Sequence, residues 1–112
     1  MGGEVISGII SRAKWLKEKP YNLLILQPTT SPEELRRFLI ANCFEITSDT
    51  AISENGKLYS VMTAVFTGNK ISVPEYFYYV GKVDPKTEDG FFYIQKQYRR
   101  AKSCADALFG IP

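Results

Sequence analysis

The chain has 112 residues, 45% of them hydrophobic and 13% aromatic, with a formal net charge of +2. This composition excludes a disordered tail and describes one small globular domain, able to bury roughly two thirds of its unfolded surface. No apolar run approaches the ~18–20 residues of a membrane-spanning helix, and so small a net charge does not by itself argue for a nucleic-acid partner.

The sequence contains no histidine, which removes the commonest general base and metal ligand and leaves carboxylates, Lys and Tyr. Cys43 and Cys104 lack metal-ligand spacing. With no secretory signal they read as reduced thiols of a cytoplasmic protein rather than a disulfide, and no metal site is expected. The start, Met1-Gly2-Gly3-Glu4-Val5-Ile6, has Ile6 where a myristoylation signal needs Ser or Thr.

In chain order, Gly2-Gly3 leads into Val5, Ile6, Ile9, Ile10, Ala13 and Leu16 at helical spacing, with Glu4, Arg12, Lys14, Lys17 and Glu18 on the outer face. This predicts a surface helix packed on a sheet and stopped by Lys19-Pro20. Leu23–Leu26 is an apolar run without alternation, the pattern of a strand covered on both faces as in a parallel sheet. Pro28 ends it, because proline cannot donate to a ladder. Ser31-Pro32-Glu33-Glu34 then opens a second helix: Ser31 suits the N-cap, Pro32 the first helical position, and Glu34 a capping box. Leu35, Phe38 and Leu39 stripe one face, and Arg36 and Arg37 are expected on the other. A strand, loop and helix in this order form a unit of a doubly wound sheet, where ligands bind beyond the carboxyl ends of strands. Gln27–Thr30 is that end.

Two β-rich runs, Phe44–Glu54 and Lys57–Thr67, flank Asn55-Gly56, the strongest short hairpin signal. In the first run Phe44, Ile46, Ser48 and Thr50 alternate against polar neighbours, so it is expected outermost, with Glu45, Asp49 and Glu54 blunting a free edge. The second run is expected to be central. Tyr76-Phe77-Tyr78-Tyr79 precede Gly81; such a cluster packs in a core or stacks on bases. Residues 82–90 form a polar loop. Phe91, Ile94, Tyr98, Ala101, Ala105 and Leu108 recur in steps of three and four, predicting a last helix docked on this domain along that seam. Its outer side carries Lys96, Arg99, Arg100 and Lys102 against Asp106, with Tyr93 and Tyr98 interleaved, a face suited to a phosphate backbone or simply to solvent.

Taken together, Met1-Gly2-Gly3-Glu4 with its Ile-rich helix, Leu24-Ile25-Leu26-Gln27-Pro28, Leu35-Arg36-Arg37-Phe38-Leu39 and Glu54-Asn55-Gly56-Lys57-Leu58-Tyr59 resemble the carboxyl-terminal half of the bacterial tRNA (adenine-N1)-methyltransferases that modify adenine 22. The aromatic approach to Gly81 fits as well, so the resemblance covers most of residues 1–81. It implies an α/β fold: half of a Rossmann-like methyltransferase, with a mixed sheet of one strand and an antiparallel hairpin, flanking helices and a C-terminal helix. The implied local sheet order is 24–27, then 58–66, then 44–53, and the implied division is 1–81 for the half-domain and 82–112 for the loop and helix. The Met-Gly-Gly step would lie at the loop that holds the target base.

By the same resemblance the intact family uses S-adenosylmethionine and acts on tRNA. The first three strands and the Gly-rich loop that hold the donor have no counterpart in these residues, and no G-x-G-x-x-G occurs. The expectation is therefore a truncated or mis-started gene product, or an excised fragment, which alone is inactive and binds no S-adenosylmethionine. A non-catalytic assembly module of the same origin remains the alternative. Catalytic residues are not assigned. Gly2, Gly3, Gln27 and Pro28 are the candidate base-side residues, the glycines by close backbone approach, Gln27 by its amide and Pro28 as an apolar wall. Lys96, Arg99 and Arg100 are candidate RNA contacts. An open edge beside Leu23–Gln27 predicts a homo-oligomer formed through that edge or the adjacent helix.

Overall fold

The computed structural model describes residues 2–13 and 23–109, with side chains described as far as residue 102. Seven elements follow in order: α1 (Gly3–Arg12), β1 (Leu23–Leu26), α2 (Pro32–Ala41), β2 (Phe44–Glu54), β3 (Lys57–Phe66), α3 (Phe77–Val80) and α4 (Glu88–Phe109). The expectations for Leu16, Lys19-Pro20, Cys104, Ala105 and Leu108 lie outside the described residues or side chains.

The sheet has the order β1-β3-β2, with β3 antiparallel to both neighbours. Asn55 and Gly56 both take positive φ (52° and 76°), the geometry of the tight turn that an Asn-Gly pair favours, and Glu54 pairs with Lys57 across it. The central strand is thus the second arm of the hairpin, inserted beside β1. The described strands pair only antiparallel, and β1 is not covered on both faces. Leu24 and Leu26 pack toward the core, whereas Leu23 and Ile25 are 56% and 70% exposed. An unbroken apolar run is equally compatible with one buried face, and the sequence alone could not separate the two.

One core joins α1, α2 and the sheet through Ile6, Ile10, Leu35, Leu39, Phe44, Ile46 and Met62. Each such side chain contributes about 1.5–3 kcal/mol by leaving water. The chief neighbour of α1 is α2 rather than the sheet. Val5 and Ile9 face outward.

Three sequence expectations change here. Ser31 does stand at the N-cap of α2, but in a left-handed conformation with no side-chain cap, so the Ser31–Glu34 capping box does not form. Instead its carbonyl accepts from the Glu34 and Leu35 amides at 3.2 and 3.3 Å. Arg36 is buried, not solvated. The buried residues of α2 are Pro32, Leu35, Arg36, Leu39 and Ile40, a stripe of steps three and four that includes position 36. Asp49 is also buried and does not guard an edge. Ile46 pairs with Ala64 but Ser48 with Thr63, so Thr47 is an extra residue. This bulge reverses the alternation, turning Asp49 and Ala51 inward and Ser48 and Thr50 outward.

On α4 the buried side runs through Gly90, Tyr93 and Gln97, with Ile94 and Ala101 half-buried. Phe91 and Tyr98, placed at the docking seam by their spacing, are 48% and 65% exposed. The helix docks on this domain as expected, but rotated by about one residue, roughly 100°. Tyr93 displaces the larger apolar stripe because its hydroxyl reaches the buried Arg36 Nη2 in polar contacts that Phe91 cannot make, and Gln97, one turn on, is carried inward with it.

Candidate functional site

Those polar contacts begin at Arg36. Its Nη1 donates to the carbonyls of Tyr78 and Tyr79 at 3.0 and 2.9 Å. Its Nη2 donates to Asp49 Oδ1, Ser60 Oγ and Tyr93 Oη at 3.1, 3.2 and 3.0 Å. Ser60 Oγ donates in turn to Asp49 Oδ1 at 2.7 Å, and the Lys82 amide to Asp49 Oδ2 at 2.9 Å. One guanidinium thereby ties together α2, both hairpin strands, the 78–82 segment and α4. Gly81 closes the shell at φ +56°: a Cβ there would overlap Asp49 Oδ2 and lie 2.7 Å from Arg36 Nε. That Nε is the one buried side-chain donor without a partner among the described residues.

Burial alone would lower the Arg36 pKa, but its interactions with Tyr93 and Asp49, hydrogen bonds included, outweigh it and hold the guanidinium protonated. Burial pushes the Tyr93 phenol up, against the opposing pull of Arg36, so it stays neutral. Outside this shell, Arg37 pairs with Glu75, lies 4.4 Å over the Tyr78 ring and fixes the aromatic segment on α2. Phe77 and Tyr78 pack against the core, while Tyr76 is exposed.

Ser60 and Tyr93 reach from this shell into a cleft of about 280 Å³ at the carboxyl end of β1. Its near wall is the loop Pro28–Pro32; Leu58, Tyr59 and Ser60 of β3 form the floor; Tyr93, Lys96, Gln97 and Arg100 of α4 form the far wall. The Gly3 amide donates to the Thr30 carbonyl at 2.7 Å, which fastens the start of α1 to the near wall. A Cβ on Gly2 would overlap Thr30 Oγ1, and one on Gly3 the Ser31 carbonyl. Both glycines are thus required by the packing of α1 on this loop.

The structure therefore gathers Gly2, Gly3 and Pro28 around one loop and sets Lys96 and Arg100 across the cleft from it. Gln27 is exposed beside Pro28 but does not line the cleft, and Arg99 lies on the exposed side of α4. Arg100 is partly neutralised: Nη2 pairs with Glu33 at 2.8 Å and Nη1 bonds Gln97 Oε1 at 3.0 Å. Lys96 makes no ion pair among the described residues. Sequence reasoning missed Tyr59, Ser60 and Gln97, and placed Tyr93 on the outer basic face, whereas it is buried. Only the step of four from Tyr93 to Gln97 hinted that they share a face. No cluster of metal-ligating side chains occurs among the described residues, and no described helix is long and apolar enough to cross a membrane.

Helices laid on a sheet whose antiparallel last strand inserts beside β1 define the second half of a Rossmann-like α/β fold. Solved structures share it. A protein of the NADB-Rossmann superfamily from Streptococcus agalactiae superposes with a TM-score of 0.70 at 24% identity, over all of this chain and 47% of its own. A candidate tRNA (m1A22) methyltransferase of Streptococcus pneumoniae gives 0.73 at 24% identity, over 100% and 49%. The Bacillus subtilis m1A22 tRNA methyltransferase TrmK gives 0.71 at 19%, over 100% and 50%. The chain spans about half the length of these structures. No curated protein matches it significantly in sequence. The family model for TrmK, tRNA (adenine(22)-N(1))-methyltransferase, matches residues 1–108, and the chain belongs to that family.

Proposed function

We propose that this chain is the substrate-side half of an S-adenosylmethionine-dependent tRNA adenine-N1 methyltransferase and is inactive by itself. The observation that carries this reading is the convergence of Gly2, Gly3 and Pro28 on one loop at the carboxyl end of β1, the ligand-binding end of such sheets. The Streptococcus pneumoniae relative, also solved in complex with S-adenosyl-L-methionine, supports the choice of donor. When bound, the donor supplies an electrophilic methyl group on its sulfonium. Among the described residues no strand runs into a glycine-rich loop that would hold it, so none is assigned to it.

The chain's own contribution is placement. The adenine N1 lone pair needs no base to attack, and orientation alone contributes several kcal/mol. Gly2 and Gly3 keep the backbone close against the loop, Pro28 offers a flat apolar wall, and Gln27 an amide at its edge. Lys96, Arg100 and, farther out, Arg99 provide cations for tRNA phosphates. Residues 1–81 carry the base-side loops and 82–112 the cationic helix, in a cytoplasmic enzyme. A chimera joining the donor-binding half of the Bacillus subtilis relative to this chain tests the proposal. It should methylate tRNA at adenine N1, whereas the 112-residue chain should neither do so nor bind S-adenosylmethionine at micromolar affinity in calorimetry. A chimera that binds the donor yet leaves tRNA unmodified defeats the reading.

The second reading, a self-associating module, is favoured by one observation. β1 pairs only with β3 among the described strands, and Val5, Ile9, Leu23 and Ile25 lie exposed on α1 and β1.

A further inference from the structure

The cleft between the Pro28–Pro32 loop and α4 is not lined by Gly2 or Gly3, although both pack on the same loop. Three features of its chemistry are specific. First, Glu33 pairs with Arg100, so of the two cations lining the cleft Lys96 is the one without an ion pair among the described residues, and it stands across from Thr29 and Ser31, while the Thr30 hydroxyl is directed at Gly2. Within the cleft, one unpaired cation among the described residues matches one phosphate. Second, Gln97 is only 3% exposed, its Oε1 accepts from Arg100, and it lines the cleft, so its Nε2 is the part of the amide left to meet a ligand there. A buried amide held in this way offers donors only, and it suits a ring nitrogen or carbonyl oxygen on the edge of a base. Third, about 280 Å³ with Tyr59 in the floor leaves room for one unstacked nucleotide beside an aromatic ring.

We propose that this cleft is a nucleotide site that takes a nucleoside monophosphate unit, its phosphate against Lys96 and the Thr29 and Ser31 side of the loop and its base edge against the Gln97 amide. The proposal rests on the tRNA reading above for its natural source, an unpaired nucleotide of the substrate RNA next to the one methylated; a free nucleotide has the same chemistry. Tyr93 is a positioning residue here, since it is held by Arg36 and fixes the turn of α4 that presents Lys96 and Gln97, while Ser60, held by the same guanidinium, fixes the β3 floor.

Amide NMR of the isotopically labelled 112-residue chain tests it. Adenosine 5′-monophosphate should shift the amides of residues 29–31, 59–60 and 96–97. Adenosine, which lacks the phosphate, and ribose 5-phosphate, which lacks the base, should each bind roughly tenfold more weakly. Lys96→Ala, a surface change that leaves the packing intact, should weaken the monophosphate roughly tenfold, Lys96→Arg should restore most of it, and Lys86→Ala, at an exposed turn outside the cleft, should change nothing. Shifts confined to other residues, or a Lys96→Ala variant that binds as the parent does, overturn the site. A single-stranded trinucleotide binding there more tightly than the mononucleotide identifies RNA as the source, and the reverse identifies a free nucleotide. Filter binding of tRNA separates the two levels. If tRNA binds parent and Lys96→Ala alike and the mononucleotide does not bind, the cleft assignment falls and the tRNA reading stands. If the mononucleotide binds the cleft but tRNA does not bind, the tRNA reading falls and the site stands.

Discussion

Arg36 and Asp49 meet at 3.1 Å with side chains wholly removed from solvent. A buried pair of this kind contributes little net stability compared with an apolar replacement, but losing one partner strands a charge at a cost of about 3–5 kcal/mol. Asp49→Ala should therefore lower the unfolding free energy by about that amount in urea titration. Replacing both, as Arg36→Met with Asp49→Leu, should cost less than the sum of the singles. A single-variant loss below about 1 kcal/mol would contradict the buried pair. Neither residue's role was legible in the sequence. The bulge at Thr47 that turns Asp49 inward has no local signature, and Arg36 looked solvated until Ile40 joined Leu35 and Leu39 on the buried stripe. The helix period held the clue, but charge overrode it in the reading, because arginine is seldom buried unless paired.

At the scale of elements, α1 and α2 meet with an electrostatic conflict. Glu34 on α2 has a raised pKa because Glu4 of α1 shares a hydrogen bond with it and repels its charged form; Glu75 is lowered by its hydrogen bond to Arg37. The signs are opposite. A carboxyl whose folded pKa is raised stabilises the fold below its unfolded pKa, and that contribution disappears as pH rises through the folded value. The Glu75 contribution is present above its unfolded pKa and is lost as pH falls through the lowered one. Glu34→Gln should thus gain stability relative to the parent as pH rises above the ordinary 4.5, and Glu75→Gln should lose it as pH rises toward 4.5 from below. Urea midpoints followed across that range check both; parallel profiles for parent and Glu34→Gln would remove Glu4 as the cause. The elements themselves were largely readable. Asn55-Gly56 set the hairpin, Pro32 marked the start of α2, and the family resemblance supplied the order β1-β3-β2. The rotation of α4 was not readable, because Phe91 and Tyr98 make a more apolar stripe than Tyr93 and Gln97, and only the buried Arg36 decides between them.

For the whole molecule, the uncompensated surface lies along β1 and α1. β1 has β3 on one side and no other described strand beside it, so one row of its N–H and C=O groups lacks a ladder partner among the described residues. Leu23 and Ile25 are 56% and 70% exposed, and Val5 and Ile9 of α1 are 54% and 48% exposed. A strand edge with adjoining apolar side chains is a template for another chain, and a two-fold axis satisfies it with one self-complementary contact. The 112-residue chain is therefore expected to form a dimer through β1 and the adjoining face of α1. Light scattering behind a sizing column should give twice the chain mass at high concentration and a fall toward one chain on dilution. Ile25→Lys places a charge on the exposed side chain without disturbing Leu24 or Leu26, and should yield the monomer at all concentrations. A parent mass of one chain throughout removes the dimer. A dimer indifferent to Ile25→Lys and to Ile9→Lys moves the contact elsewhere, with the exposed Phe91 and Tyr98 of α4 next in line. In the chimera carrying the donor-binding half, the edge of β1 acquires a neighbour within its own chain, and the dimer should dissolve as methyl transfer appears.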